Sequence, residues 1–290
     1  MIPIVDTHQH LWNLDIFDLP WTRETGAAGQ GYDLIAKTHV MSDYLAAVEG
    51  LNVVKAVYME IDVVPDQRDD EAAYVIDLCE LDDNPTVGAV IGGYPGIEGF
   101  RDYVTRYKNN QYIKGVRHVL HLPDTPPGTC VADGFVDDCR WLGEQELIFD
   151  LCMMPAEIPN GTTVASACPD TRFILDHCGN PDVKEKEHDV WRRNMAEIAE
   201  RPNVIAKISG LLASAEPGAW TPDDLAPFVN YTIECFGVER CIFASNWPVC
   251  RLSGTLRDWV EALKIILADR SEEDQRRIFH DNAVAFYGLS

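Results

Sequence analysis

Two histidines near the start of the chain are the first residues whose type and spacing suggest chemistry. His8 and His10 follow a short β-branched run at residues 3–5. Such a run, ending in polar residues, is typical of a buried strand. Strand side chains alternate with a period of two, so both imidazoles are expected to point the same way. Two neutral imidazoles that converge on one point can bind a metal ion or orient a polarised carbonyl.

The rest of the chain alternates between apolar strands and amphipathic helices. Further strands are predicted over residues 53–61, 86–94, 113–119, 147–153, 171–178, 204–211 and 240–245. This alternation indicates an α/β protein with a parallel sheet covered by helices. Eight such units in 290 residues fit a single-domain (β/α)8 TIM barrel spanning residues 1–290. An open, doubly wound sheet is the alternative. The first loop, at about residues 12–42, is long and is expected to help set specificity.

Reactive side chains recur near the carboxyl ends of several predicted strands, which is where the active site of a TIM barrel lies. Buried charges are costly unless they compensate one another or meet a ligand, so this recurrence favours one shared site. The candidates, in chain order, are His8, His10, Glu60, Lys114, Arg117, Asp150, His177, Ser209 and Asn246.

For four residues near these candidates, a purely structural role competes with a role in the site. Lys207 can extend its ammonium to water from within a strand. Trp12 and Trp247 directly follow site positions, and they either wall a pocket or simply pack in the core. Asp176 precedes His177. By strand parity it is predicted to point the opposite way and to serve as a structural hydrogen-bonding group.

The charge of the chain limits its partners. A net charge of -23 and a pI near 4.5 argue against binding to nucleic acid or to an anionic membrane. The nine cysteines include no Cys-x-x-Cys pair, which is typical of a protein from a reducing compartment. No signal peptide or membrane-spanning run is apparent, so we expect a cytoplasmic protein that binds a small molecule. The sequence leaves open whether the chain forms a homo-oligomer.

Six segments resemble the amidohydrolase superfamily, and they run in order through nearly the whole chain. They are DTHQHLW at 6–12, KGVR at 114–117, LDHCGNP at 175–181, KISGL at 207–211, SNWPV at 245–249 and the terminal NAVAFYGL. They are most similar to its sugar-lactone hydrolase branch, the L-fuconolactonase and L-rhamnonolactonase relatives, with 2-pyrone-4,6-dicarboxylate lactonase as a cousin. The resemblance implies a TIM barrel that hydrolyses an aldonolactone, the cyclic ester of a sugar acid.

The resemblance also implies roles for individual residues. His8, His10 and His177 would surround the substrate carbonyl, and Lys114 and Arg117 would face the substrate. This set suits the chemistry, because water must lose a proton and the carbonyl oxygen needs positive partners as it becomes an oxyanion. Substrate-binding residues are expected among Trp12, Arg117, Asp150, Ser209 and Trp247.

Asn246 departs from the family pattern at strand eight, which is usually Ser-Asp-Trp-Pro. An amide cannot accept a proton from water at neutral pH, so either another group is the base or the protein is altered in function. His177 is the preferred base because imidazole titrates near neutral pH, with Glu60 and Asp150 as alternatives.

A metal ion and two other functions stay open. The superfamily typically uses the first histidine pair as ligands, so the resemblance implies one divalent ion, most readily Zn2+, on His8, His10 and His177. In the lactonase branch metal is often dispensable, so the alternative is that no cofactor is required. The competing functions are a metal-dependent decarboxylase or amidohydrolase of the same superfamily, and a sugar-acid-binding homologue that has lost catalysis.

Overall fold

Eight parallel strands form the centre of the molecule. The computed structural model describes residues 1–23, 32–122, 125–185 and 187–289. Each strand in these ranges pairs with the next in chain order. The strands are β1 (Ile4–Gln9), β2 (Val53–Met59), β3 (Thr86–Gly92), β4 (Ile113–Val119), β5 (Ile148–Cys152), β6 (Phe173–Leu175), β7 (Val204–Ile208) and β8 (Cys241–Phe243). The predicted (β/α)8 TIM barrel is confirmed.

Helices follow the strands and cover the outside of the barrel. Their starts follow from the local sequence; the helix at Leu256–Ile266, for example, is capped by Thr255, whose hydroxyl accepts the Asp258 N–H at 3.1 Å. None of the helices in the described residues is long and apolar enough to cross a membrane. The α-helices of these residues are α1 (Met41–Val48), α2 (Arg68–Cys79), α3 (Phe100–Tyr107), α4 (Asp133–Glu144), α5 (Ile158–Ala167), α6 (Asp189–Ala199), α7 (Leu211–Ser214), α8 (Pro222–Phe236), α9 (Leu256–Ile266), α10 (Glu272–Arg276) and α11 (Asn282–Tyr287).

The long first loop connects β1 to α1. Its two ends are joined by a short antiparallel bridge, in which Trp12 and His39 exchange backbone hydrogen bonds of 2.8 Å each. Short 3-10 turns occur at Pro20–Thr22 and Tyr32–Leu34. Residues 24–31 of the predicted loop lie outside the described residues. The proposed influence of this loop on specificity stays a prediction.

The barrel interior is apolar toward the amino ends of the strands. At this level β4 has Gly115 and so contributes no side chain. A Cβ at this position would lie 2.4 Å from the Ile148 carbonyl oxygen, which explains why the residue is glycine. The carboxyl ends of the strands are left for the polar residues. The apolar cluster also contains residues of α11, and its members include Val5, Val57, Val90, Ile148, Ile174, Ile205, Ile242, Ala283 and Tyr287.

Where the barrel closes between β1 and β8, side-chain hydrogen bonds supplement a backbone bridge in which His10 N–H donates to the Trp247 carbonyl at 2.8 Å. Thr7 Oγ1 donates to the Phe243 carbonyl at 2.7 Å. The buried Asp6 carboxylate accepts the Ser245 N–H at 2.8 Å, the Ser245 hydroxyl at 2.6 Å and the Tyr44 hydroxyl at 2.8 Å. This carboxylate therefore fixes the ends of both strands, directly beside two candidate site positions, His8 and Asn246.

Replacing Asp6 with Ala tests this closure. The variant leaves the buried Ser245 and Tyr44 donors without their acceptor, at about 1–3 kcal/mol for each unsatisfied group. We expect Asp6→Ala to lower the free energy of unfolding by about 3 kcal/mol or more in urea denaturation. Asp43→Ala is the matched control, since Asp43 only caps the exposed start of α1 and should cost about 1 kcal/mol. Equal losses in the two variants would contradict the role given to Asp6.

Candidate active site

A cluster of buried charges lies at the carboxyl ends of β5, β6 and β7. The Lys207 ammonium forms an ion pair with Asp150 and lies 3.1 Å from a carboxylate oxygen of Asp176. All three side chains are fully buried. Because an isolated buried charge is costly, the ammonium and the two carboxylates depend on one another.

A second ion pair extends the cluster from β2 and β4. Arg117 donates from Nε to Glu60 Oε1 at 2.6 Å, and its Nη1 lies 3.1 Å from His8 Nε2. The second Glu60 oxygen accepts the Asp62 N–H at 2.6 Å. Both carboxylate oxygens of Glu60 are therefore engaged, which leaves Glu60 poorly placed to take a proton from water. Arg117 links Glu60 to the histidines.

The two histidines of β1 converge as the spacing predicts. Their Nε2 atoms are 3.1 Å apart. His10 Nδ1 lies 3.0 Å from the Met59 carbonyl, which can only accept, so Nδ1 carries the proton and Nε2 offers a lone pair. His8 Nδ1 lies 3.4 Å from Lys207 Nζ and 3.6 Å from Asp176 Oδ1. His8 is thus the residue that joins the imidazoles to the charge cluster.

His177 enters the cluster from the turn after β6. Both His177 and Cys178 have left-handed backbone conformations, with φ of 57° and 51°, so the chain turns sharply there. His177 Nδ1 lies 2.8 Å from Ser209 Oγ, and the ring centroid lies 4.5 Å from that of His8. A Cβ on Gly210 would lie 2.4 Å from His177 Cβ, so only glycine lets the histidine pack at this distance. Ser209 therefore orients His177.

Burial keeps these histidines neutral. It lowers the pKa of His8 and of His10 well below the ordinary value. For His177 burial lowers the pKa, Asp176 partly opposes it, and Arg117 and Lys207 add to the lowering, so that the pKa falls to about 3. At neutral pH each ring therefore keeps one unprotonated nitrogen, as a base or a metal ligand requires.

The acids of the cluster differ in their pKa values. Burial raises the pKa of Asp150 to about 7, although Lys207 opposes the rise. Burial also acts on Asp176, but Lys207 and His8 outweigh it and hold the pKa of Asp176 well below its usual value. Burial alone would lower the pKa of Lys207, yet Asp150 and Asp176 together raise it. Asp176 and Lys207 are thus charged at neutral pH, whereas Asp150 titrates near neutrality.

Asn246 and an aromatic layer form the side of the site nearest β1 and β8. Asn246 is 4% exposed and has a left-handed φ of 55°, a conformation that Asn and Asp adopt more readily than most residues. The His39 ring packs between Trp12, at 5.4 Å, and Trp247, at 5.5 Å. Both tryptophans are buried in this layer. Their predicted contact with substrate stays a prediction.

Lys114 lies outside the cluster, and its predicted place beside the substrate was wrong. It is the second residue of β4, near the amino end of the barrel, where it lies beside Gly88 and the loops at residues 108–111 and 145–147. Lys114 and Arg117 are three residues apart, and an odd spacing in a strand puts two side chains on opposite faces.

Lys207 provides the ammonium instead, and Asp176 points inward rather than away. β6 ends at Leu175, so strand alternation does not extend through Asp176 and His177. A signal for both residues was available in the sequence. Asp150, Asp176 and Lys207 stand near the ends of three consecutive strands, and parallel neighbours bring such ends together.

One divalent metal ion fits the residues that are present. His8, Asp176 and His177 form a group in the described residues whose ligand atoms all lie within 4.8 Å of one another. Among the described residues neither oxygen of Asp176 accepts a hydrogen bond of good geometry, although Lys207 Nζ lies 3.1 Å from Oδ1. Imidazole nitrogens and a carboxylate oxygen form a donor set that zinc accepts. His10 was predicted as the third ligand but is not part of this group, where Asp176 takes its place.

Comparison with known proteins assigns the chain to a family. The family model described as Amidohydrolase matches residues 5–289. The chain belongs to the amidohydrolase family. A protein from Sinorhizobium fredii named uncharacterized protein y4mH is 30% identical, with 99% of this chain and 98% of that protein aligned. An L-fucono-1,5-lactonase from Burkholderia multivorans is 26% identical, over 92% of this chain and 91% of the relative. The predicted resemblance to the sugar-lactone branch is confirmed.

A solved structure supports the fold. It is an amidohydrolase from Burkholderia multivorans with bound zinc, and it aligns with 99% of this chain and 100% of its own chain. The TM-score is 0.86 and the sequence identity is 20%.

Glu71 of α2 supports the end of β2 beneath this site. Its Oε1 accepts the Tyr58 hydroxyl at 2.9 Å and the Ile61 N–H at 2.8 Å, and it is buried. Burial, and then the nearby Glu60 charge, raise the pKa of Glu71 from 4.5 to about 8. The folded protein therefore holds this proton at pH values where the unfolded chain has released it.

The Glu71→Gln variant tests this proton. Between pH 4.5 and about 8 the wild-type chain binds more protons folded than unfolded at this position, so the free energy of unfolding contributed by Glu71 falls as the pH rises. The slope for one group is about 1.4 kcal/mol per pH unit. We expect the stability of Glu71→Gln relative to wild type to rise by about that amount per unit in urea denaturation from pH 5 to 8. A difference that does not change with pH would show that Glu71 is ionised in the folded protein.

Proposed function

We propose that this protein hydrolyses an aldonolactone, opening the cyclic ester of a sugar acid with an activated water. The observation that carries the proposal is the convergence of His8, His177, Asp176, Lys207 and Arg117 at the carboxyl ends of the strands. The relative named L-fucono-1,5-lactonase supports the substrate class. An ester carbonyl placed there meets both a neutral base and cations.

His177 is the proposed general base. Its Nδ1 lies 2.8 Å from Ser209 Oγ, and if that nitrogen donates to the hydroxyl, Nε2 holds the lone pair that takes a proton from water. Burial lowers its pKa to about 3, so the ring is unprotonated at neutral pH but is a weaker base than the free imidazole on which the sequence-based choice of His177 rested. Asp176 lies beside His177 and carries a negative charge, which stabilises the imidazolium that forms as the proton is taken.

Cations stabilise the developing oxyanion in this proposal. Lys207 and Arg117 lie on two sides of His8, at 3.4 Å from Nδ1 and 3.1 Å from Nε2. Preorganised charges in a water-poor site stabilise an oxyanion more strongly than the same charges in water. A divalent metal such as Zn2+ on His8, Asp176 and His177 would polarise the carbonyl when bound, and it would then occupy the His177 lone pair, so the base role of His177 applies to the metal-free protein.

Hydrolysis by the purified protein tests the proposal. Proton release is measured with a pH indicator after addition of L-fucono-1,5-lactone or an L-rhamnonolactone, with the uncatalysed rate subtracted. We expect His177→Ala to lower kcat by about 10²–10⁴-fold, because a positioned base contributes about that much. His188→Ala, a change of the same kind outside the cluster, should keep kcat within about threefold. No release from any member of an aldonolactone panel would remove the proposal.

Asn246 favours a second candidate, a sugar-acid-binding homologue without catalysis. The two candidates differ in the Asn246→Asp variant, which the left-handed backbone at this position accepts equally well. If His177 is the base, wild type already turns over and Asn246→Asp changes kcat less than about tenfold. If wild type is inactive and Asn246→Asp creates turnover, the binding function is the correct one.

Metal analysis of protein purified without chelator tests the third candidate, a metal-dependent decarboxylase, which requires stoichiometric metal.

A further inference from the structure

We propose that a cavity at the amino-terminal mouth of the barrel binds a small multivalent oxyanion of the phosphate or polycarboxylate class. The cavity has a volume of about 280 Å³ and lies at the opposite end of the barrel from the charge cluster. Its walls are the loops that precede β4, β5 and β6, together with Tyr287 of α11. This inference does not rest on the function proposed above.

Three cations line the cavity, and none of them forms an ion pair with a carboxylate among the described residues. The nearby Glu146 charge acts on Arg172, where it partly opposes the lowering of the pKa by burial. Lys114 has no hydrogen bond or ion pair among the described residues. In the part of the chain that the structure describes, Lys108 donates to the Gln145 side-chain oxygen, and Arg172 donates to the backbone carbonyls of Phe286 and Glu146. All of these acceptors are neutral, so three positive charges share one concave space with the single acid Glu146.

This group of cations differs in sign from the charge of the chain as a whole. The chain carries a net charge of -23, so its surface as a whole repels anions. Half-burial lowers the pKa of Lys114, as expected for an ammonium that has lost water without gaining an anion. Asn109, Asn110 and Gln111 add amide groups to the wall. Cations and amides around a concave space suit a compact oxyanion, which accepts several hydrogen bonds at once.

Titration calorimetry at constant ionic strength tests the site, with inorganic phosphate and citrate as separate probes. We expect saturable, millimolar or tighter binding of at least one probe, and the better probe identifies the ligand class. Lys114→Met should weaken that binding at least tenfold. Lys184→Met changes net charge equally at an exposed position outside the cavity and should weaken it less than twofold.

Backbone amide NMR locates the bound anion in the same titration. Shifts at residues 108–114, 145–147 and 172 support the cavity, because these residues line it. Three results would overturn the proposal: no saturable binding of either probe, equal weakening by Lys114→Met and Lys184→Met, or shifts confined to residues around His8 and His177. The last result would place the anion at the catalytic end.

Discussion

The contact between the Lys207 ammonium and the carboxylates of Asp150 and Asp176 is the interaction on which the rest of the site depends. Breaking a buried ion pair costs about 3–5 kcal/mol, because the remaining charge has no water to solvate it. Glu60, Asp150 and Asp176 are three acids and Arg117 and Lys207 are two cations, so full ionisation would leave one excess negative charge. A proton on Asp150, whose pKa is near 7, balances that charge.

The fold creates this cluster by separating two kinds of interior. Apolar side chains and α11 fill the amino-terminal part of the barrel, so the polar residues at the carboxyl ends lie on an apolar layer. The strands end just before the reactive residues. β6 stops at Leu175 and β8 at Phe243, and the positive φ angles of His177 and Asn246 then turn the chain sharply after each strand. The Asp6 carboxylate holds the two strand ends at the seam in register with each other.

The sequence was sufficient to predict the barrel, because the alternation of apolar strands and amphipathic helices depends on local periodicity. It also identified His8, His10, Glu60, Arg117 and His177, which the structure brings together. Prediction from the sequence failed where the exact end of a strand decides which way a side chain points. Lys114 was placed at the site although its odd spacing from Arg117 argues against that. Asp176 was predicted to point away from the site because the strand was assumed to continue through His177. The partner of a buried charge is set by tertiary contacts, so Lys207 could be identified only by comparing the ends of neighbouring strands and not from the sequence around it.

A comparison of Lys207→Met with Lys114→Met shows whether catalysis depends on the ammonium in the charge cluster. Both variants remove one ammonium from a strand, but only Lys207 touches the carboxylates and His8. The measurement is kcat for aldonolactone hydrolysis per folded molecule, with the folded fraction taken from circular dichroism. The account predicts a loss of at least about 100-fold for Lys207→Met, corresponding to about 2.7 kcal/mol of lost transition-state stabilisation. It also predicts a change of less than threefold for Lys114→Met. Folded Lys207→Met protein with wild-type kcat, or an equal loss in both variants, would contradict it.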